Sequence, residues 1–138
     1  MSYLSGTIPH TADMGLWVEA DSLPELFEAA AVALAEIMVS GPRDGQLRWH
    51  PVELEAESLE ELLVAWLNEV LFLLEARGEV VAAAEAELSG LRLSGRLGTV
   101  PFNPQLHEVA EPVKAVTYHG ASVQERGGRW RAEVVMDL

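Results

Sequence analysis

The chain has 138 residues, 49% of them hydrophobic and 22% charged, the size and mix of one folded domain rather than a disordered segment. Its formal net charge of −13 disfavours broad, direct contact with a nucleic-acid backbone and favours basic partners or bound metal cations. The absence of cysteine excludes disulfides, thiolate zinc sites and cysteine nucleophiles.

Residues 1–7 carry neither a basic region nor an apolar signal core, so a cytoplasmic protein without a membrane anchor is expected. Residues 15–20 read as a strand leading into a helix. That helix starts at Ser22-Leu23-Pro24-Glu25, which has the Ser-x-x-Glu spacing of a capping box with proline tolerated in the first turn. Leu26, Phe27, Ala30, Leu34, Ile37 and Met38 then fall on one helical face. Residues 47–56 alternate apolar and polar, and Pro51 marks an edge strand or a bulge.

Ser58-Leu59-Glu60-Glu61 repeats the capping spacing and opens a second apolar stripe that ends near Arg77-Gly78. This stretch is interrupted by charges and too short to span a bilayer. Residues 80–88 and 91–97 pair as strands through Ser89-Gly90. Residues 98–112, with three prolines, are expected to form a long functional loop. A strand-like run follows over 113–120. Residues 121–126 and 129–138 then flank Gly127-Gly128, a two-residue hairpin signal. The expected fold is α+β, a two-layer module of strand–helix–strand–strand type with inserted strands. Two helices would cover one face of a mostly antiparallel sheet.

A few polar residues remain without an evident structural task. Lys114 is the only lysine, the other eight cations being arginines. A compact ammonium in a strand-like run is either an ordinary surface lysine or a charge placed for chemistry. Of the four aspartates, Asp21 adjoins a helix N-terminus and Asp44 lies in the turn Arg43-Asp44-Gly45, which leaves Asp13 and Asp137. Together with the terminal carboxylate of Leu138 they would make a hard oxygen site for calcium, magnesium or manganese. A hydrogen-bonded turn would account equally for His10-Thr11-Ala12-Asp13. His50 and His107 read as single surface or core residues, and His119 as able to reach a nearby acid. No Ser-His-Asp ordering, glycine-rich phosphate loop or His-Glu-x-x-His helix is present, so no nucleophile is assigned.

At these residues the sequence resembles the archease family over nearly the whole chain, 1–138. The matching stretches are His10-Thr11-Ala12-Asp13-Met14-Gly15-Leu16, the helix start Ser22-Leu23-Pro24-Glu25-Leu26-Phe27, and Leu62-Leu63-Val64-Ala65-Trp66-Leu67-Asn68-Glu69-Val70-Leu71. Val113-Lys114-Ala115-Val116-Thr117-Tyr118-His119-Gly120 and the closing Val134-Val135-Met136-Asp137-Leu138 complete the order. The resemblance implies a protein cofactor, not itself an enzyme, of the RtcB-type RNA ligase that acts in tRNA splicing and RNA repair. Such a cofactor promotes guanylylation of the ligase's own histidine and repeated turnover, meeting tRNA only through the ligase. It further implies metal ligation by Asp13, Asp137 and Leu138, calcium being the expected ion, with His10 adjacent and Lys114 in the family's lysine position. One stretch departs: relatives often resemble Asp-Pro-x-Arg-His where this chain has Asn103-Pro104-Gln105-Leu106-His107, so that loop receives no metal or phosphate role. A chaperone-like binding module for RNA-processing enzymes is the alternative, and a metal-dependent phosphoester hydrolase a further one.

Overall fold

The structure, a computed structural model, describes residues 3–9 and 13–138. Along the chain run β1 (Tyr3–Pro9), β2 (Asp13–Ala20), α1 (Leu23–Met38), β3 (Val39–Ser40), β4 (Arg48–Glu55) and α2 (Leu59–Arg77). They are followed by β5 (Glu79–Ser89), β6 (Arg92–Pro101), β7 (Glu108–Val109), β8 (Ala115–Arg126) and β9 (Arg129–Asp137).

Both helices begin as their sequences require. The Ser22 hydroxyl accepts from the Glu25 amide at 3.3 Å, and the Ser58 hydroxyl accepts from the Glu61 amide at 3.1 Å. Glu61 also reaches back past the cap, accepting from the Glu57 amide at 3.1 Å. The helices end differently. Gly78 closes α2 in the left-handed region, φ 62°, donating its amide to the Leu73 and Leu74 carbonyls. Helix α1 has no basic residue in its last turn and runs straight into β3. Arg43 folds back to serve that end, donating to the carbonyls of Ala35 at 2.8 Å and Val39 at 2.6 Å.

The fold is α+β with antiparallel strands, as expected, and β4-α2-β5-β6 is a strand–helix–strand–strand unit. The strands are divided among three sheets: a four-stranded sheet in the order β1-β2-β9-β8, a three-stranded sheet in the order β4-β6-β5, and the small pair β3-β7. Each helix packs against both larger sheets, α1 on β5 and β2, and α2 on β8 and β5. Helix α1 is therefore buried nearly all round. Ala29, Ala30, Ala31, Ala33 and Ala35 let it approach the sheets closely. Trp66 of α2 is fully buried and donates its indole N–H to the Phe27 carbonyl at 2.8 Å, tying the two helices together.

Three expectations change. The chain opens with a strand, β1, that its local pattern does not signal, because Ser5, Gly6 and Thr7 dilute the apolar alternation of an edge strand. The long loop expected over 98–112 is shorter, because β6 runs through to Pro101 with Gly98 and Thr99 paired to β4 and β5. The runs 113–120 and 121–126 merge into one strand, β8, which starts at Ala115, so Lys114 lies just before it.

Candidate functional site

Asp13 is the first residue of β2 and Asp137 the last of β9, and the two are directly opposed across the antiparallel ladder. Opposed residues project from the same face of a sheet, with Cβ atoms about 4.5–5.5 Å apart. The alternation identifies that face. Leu16, Val18, Val134 and Met136 are buried toward the helices, so Asp13 and Asp137 lie on the helix-free side, at the sheet end.

Lys114 joins them through the backbone. Its amide donates to the Asp137 carbonyl at 2.7 Å, while its neighbour Ala115 is the ladder partner of Asp137. Two residues thus oppose one, as at a β-bulge. Residues from the two ends of the chain and from the start of β8 are brought to one place. The Lys114 and Asp137 side chains are exposed and form no ion pair among the described residues. Leu138 follows directly, half-buried against the core. His10 lies outside the described residues.

The donor chemistry of this corner suits a hard cation. Among the described residues no group of three or more histidine, cysteine, aspartate or glutamate side chains could hold a metal ion. The two opposed carboxylates, with the oxygens of the adjoining Leu138, are donors of the kind that the oxygen-seeking divalent ions accept.

Sequence reasoning missed the residue that holds the start of β8. Asn68 of α2 donates to the Val116 carbonyl at 3.1 Å and accepts from the Val116 amide at 3.1 Å. Strand β8 is an edge of its sheet, and Asn68 supplies the pairing that a further strand would have given. The available signal was a carboxamide inside the apolar stripe of α2, between Leu67 and Val70. Two residues beyond Val116 the ladder with β9 breaks: Thr117 pairs with Val135, but Ser122 is the next to pair, with Glu133. Tyr118, His119 and Gly120 stand out there, Tyr118 being 56% exposed. Gly120 has φ +80°, so another residue at that point would be strained. No ion pair of His119 is present among the described residues.

A groove of about 450 Å³ adjoins Lys114. Leu74, Phe102, Val109 and Val113 line it, with Glu75 and Glu111 as its carboxylates.

The other histidines are structural. His107 is buried; its Nδ1 accepts from the Asn103 amide at 2.9 Å, which assigns the proton to Nε2 for donation to the Pro42 carbonyl at 2.6 Å. The departing loop is thereby folded onto itself, with Asn103 also accepting from the Gln105 amide at 2.9 Å. His50 sits in a polar cluster of the three-stranded sheet, 3.1 Å from both the Glu79 carboxylate and the Thr99 hydroxyl. Thr99 donates to Glu79 at 2.7 Å, and Arg48 lies 3.6 Å from the same oxygen. Burial is the largest influence on the Glu79 carboxyl and pushes its pKa up, but Thr99, His50 and Arg48 together outweigh it and hold it below the ordinary carboxylate value.

Fold and site together define an α+β module of antiparallel sheets that presents a carboxylate pair and an ammonium at one sheet end, beside an apolar groove. No helix of the described residues is long and apolar enough to cross a membrane. The family model of the Archease protein family matches residues 6–138, and the chain belongs to that family. The archease of Pyrococcus abyssi is 36% identical over 134 residues, 94% of each chain, and that of Methanopyrus kandleri 39% identical over 137 residues, 95% of this chain and 96% of that one. Among solved structures, protein 1598 of Methanobacterium thermoautotrophicum superposes with a TM-score of 0.71 at 30% identity, covering 97% of this chain and 98% of that one. A Thermotoga maritima protein described as an archease and possible chaperone gives 0.65 at 21% identity, covering 95% and 94%, and shares the fold.

Proposed function

We propose that this archease is an accessory protein of an RtcB-type RNA ligase, acting in tRNA splicing or RNA repair by promoting guanylylation of the ligase and its repeated turnover. It contributes no catalytic nucleophile and meets RNA through the ligase. The observation that carries this reading is the meeting of Asp13, Asp137 and the Lys114 backbone at one exposed sheet end in a chain of the archease family. Three chemically distinctive residues drawn from separate parts of the sequence are hard to explain by packing.

In this reading Asp13, Asp137 and the oxygens of Leu138 hold a divalent cation, calcium first, with magnesium and manganese as other hard ions such donors accept. The ion would supply positive charge where phosphate oxygens become more negative. Lys114 is exposed, forms no ion pair among the described residues, and is the cation this reading offers to a partner's anionic chemistry. The Lys114 amide bond to the Asp137 carbonyl holds the backbones that carry cation and carboxylate next to one another. The acidic surface suits a basic face on the ligase and speeds encounter.

Multiple-turnover ligation by the cognate ligase, with and without this protein across calcium, magnesium and manganese, tests the reading. Stimulation is expected, and its absence under every metal would overturn it. A chaperone-like binding module is the second reading, favoured by the apolar groove and by the description carried by the Thermotoga protein. It requires that Asp13→Asn and Lys114→Ala proteins support the ligase as well as the parent does. Phosphoester hydrolysis by the purified protein, abolished by Asp13→Asn, would instead mark an enzyme.

A further inference from the structure

The groove beside Lys114 lies where the C-terminal ends of α1 and α2 meet the segment that leads into β8. Its floor is firm: Met38 and Val113 are buried, and the carbonyl of Met38 accepts from the Ala110 amide at 2.8 Å. Its lip is open: Val109, in the two-residue strand β7, is 50% exposed although it is aliphatic. At about 450 Å³ the groove falls within the roughly 300–1,000 Å³ of ordinary binding clefts. An apolar depression on so acidic a chain marks a contact surface rather than unused area.

Charge decides what fits. Among the charged residues that line it are two glutamates, Glu75 and Glu111, against one lysine, Lys114. Gly78, the cap of α2, also lines the groove, and a helix C-terminus adds partial negative charge. An acidic segment or a nucleic-acid backbone would be repelled, whereas apolar side chains flanked by arginine or lysine would be held by both floor and rim. An occupant would also lie next to the Asp13–Asp137 corner, because Lys114 belongs to both places.

We infer that this groove docks an apolar segment flanked by basic residues, contributed by the ligase, and so sets the carboxylate pair and Lys114 in register with that enzyme's reacting site. The inference rests on the ligase reading above for the source of the segment, but not for its chemistry. Two measurements separate these.

In the first, amide resonances of the protein are followed during titration with a capped heptapeptide of alternating leucine and arginine. Shifts are expected at Val109, Val113 and Lys114, with binding weakened at least tenfold by Val109→Lys and unchanged by Leu91→Lys at the distant β5–β6 turn. Equal binding by an alternating leucine–glutamate peptide, or shifts confined elsewhere, would overturn the proposed chemistry. In the second, a photocrosslinking amino acid replaces Val109 in the full chain, mixed with the ligase. Crosslinking to the ligase, and a Val109→Lys protein needing at least tenfold more protein for half-maximal stimulation at unchanged maximum, support the docking role. Crosslinking to a second copy of this chain, or unchanged half-maximal concentration for Val109→Lys, overturns it. If the parent protein neither binds nor stimulates the ligase while the leucine–arginine peptide binds as expected, the ligase falls as the source and the groove's chemistry stands.

Discussion

In the three-stranded sheet the buried carboxylate of Glu79 is met by Thr99, His50 and Arg48, so that its charge is answered within β4–β6. At the end of the four-stranded sheet Asp137 and Lys114 are exposed and engage one another through the backbone, with no side-chain ion pair among the described residues. Both regions combine acids with cations, and both draw on residues far apart in sequence. They differ in how far the described residues answer the charge of Glu79 on one side and of Asp137 and Lys114 on the other. A buried carboxylate left half-satisfied would destabilise the fold, so the first cluster had to be finished internally. An exposed one carries no such penalty and stays available to a partner. The chain's 22 acidic residues therefore say little about function until each is asked what answers it.

The largest effect expected is on the open corner. Asp13→Asn or Asp137→Asn should lower ligase stimulation by about a hundredfold, on the scale of losing a metal site's supporting ligands. The thermal midpoint should move by less than about 4 °C, the shift of roughly 1 kcal/mol in a domain of this size. Lys114→Arg should restore little of what Lys114→Ala loses, because a planar guanidinium does not replace a compact ammonium. Full stimulation by the aspartate variants would erase the contrast between the two regions.

The closed cluster should respond in the opposite sense. Glu79→Ala is expected to cost about 2–4 kcal/mol in urea unfolding, from the groups left behind without their acceptor, while the folded protein still stimulates the ligase. The pH dependence has a definite sign. Because the Glu79 carboxyl is held below its ordinary value of 4.5 in the fold, the unfolded chain takes up the proton first. Its contribution is complete above about 4.5 and is lost as pH falls through the lower folded value. Glu28 has the reverse sign: burial, the largest cause, raises its pKa despite the 2.9 Å bond from the Ala86 amide. The folded chain then holds that proton more readily, so stability from Glu28 declines as pH rises past 4.5. Acid titrations of unfolding should therefore be flattened below 4.5 by Glu79→Gln and altered above it by Glu28→Gln.

What could be read from the sequence was mostly what is local. Both helices, their serine caps and the glycine stop of α2 are encoded within a few residues. So are the hairpins, although the first turns at Gly90-Leu91, one residue beyond the expected Ser89-Gly90, and the second at Gly127-Gly128. Asp13, Asp137 and Lys114 stood out because nearby residues offered them no structural task. The division into three sheets, the β3–β7 pair and the extra residue between Val81 and Ala83 depend on which distant strands meet, and no short pattern states that. The same holds for Glu79, His50 and Thr99. Each looks ordinary on its own strand, and they form a cluster only once β4, β6 and β5 lie side by side.

Asn68 sharpens the comparison because it belongs to both regions by function. It sits in the apolar stripe of α2 and answers polar groups from within the chain, as the Glu79 cluster does, yet the strand it holds begins one residue after Lys114. Asn68→Ala removes both bonds to Val116 and is expected to cost about 1–2 kcal/mol, less than Glu79→Ala because the ladder with β9 remains. Hydrogen exchange should reveal where the loss falls: the Val116 amide loses its acceptor directly, and the Lys114 amide should open more often as the start of β8 frays. Stimulation of the ligase should then drop by less than in the aspartate variants, since every charged group is still present and only their spacing is loosened. If Asn68→Ala lowers stability but leaves both Lys114 exchange and stimulation unchanged, the corner is held by β9 alone and Asn68 is a packing residue.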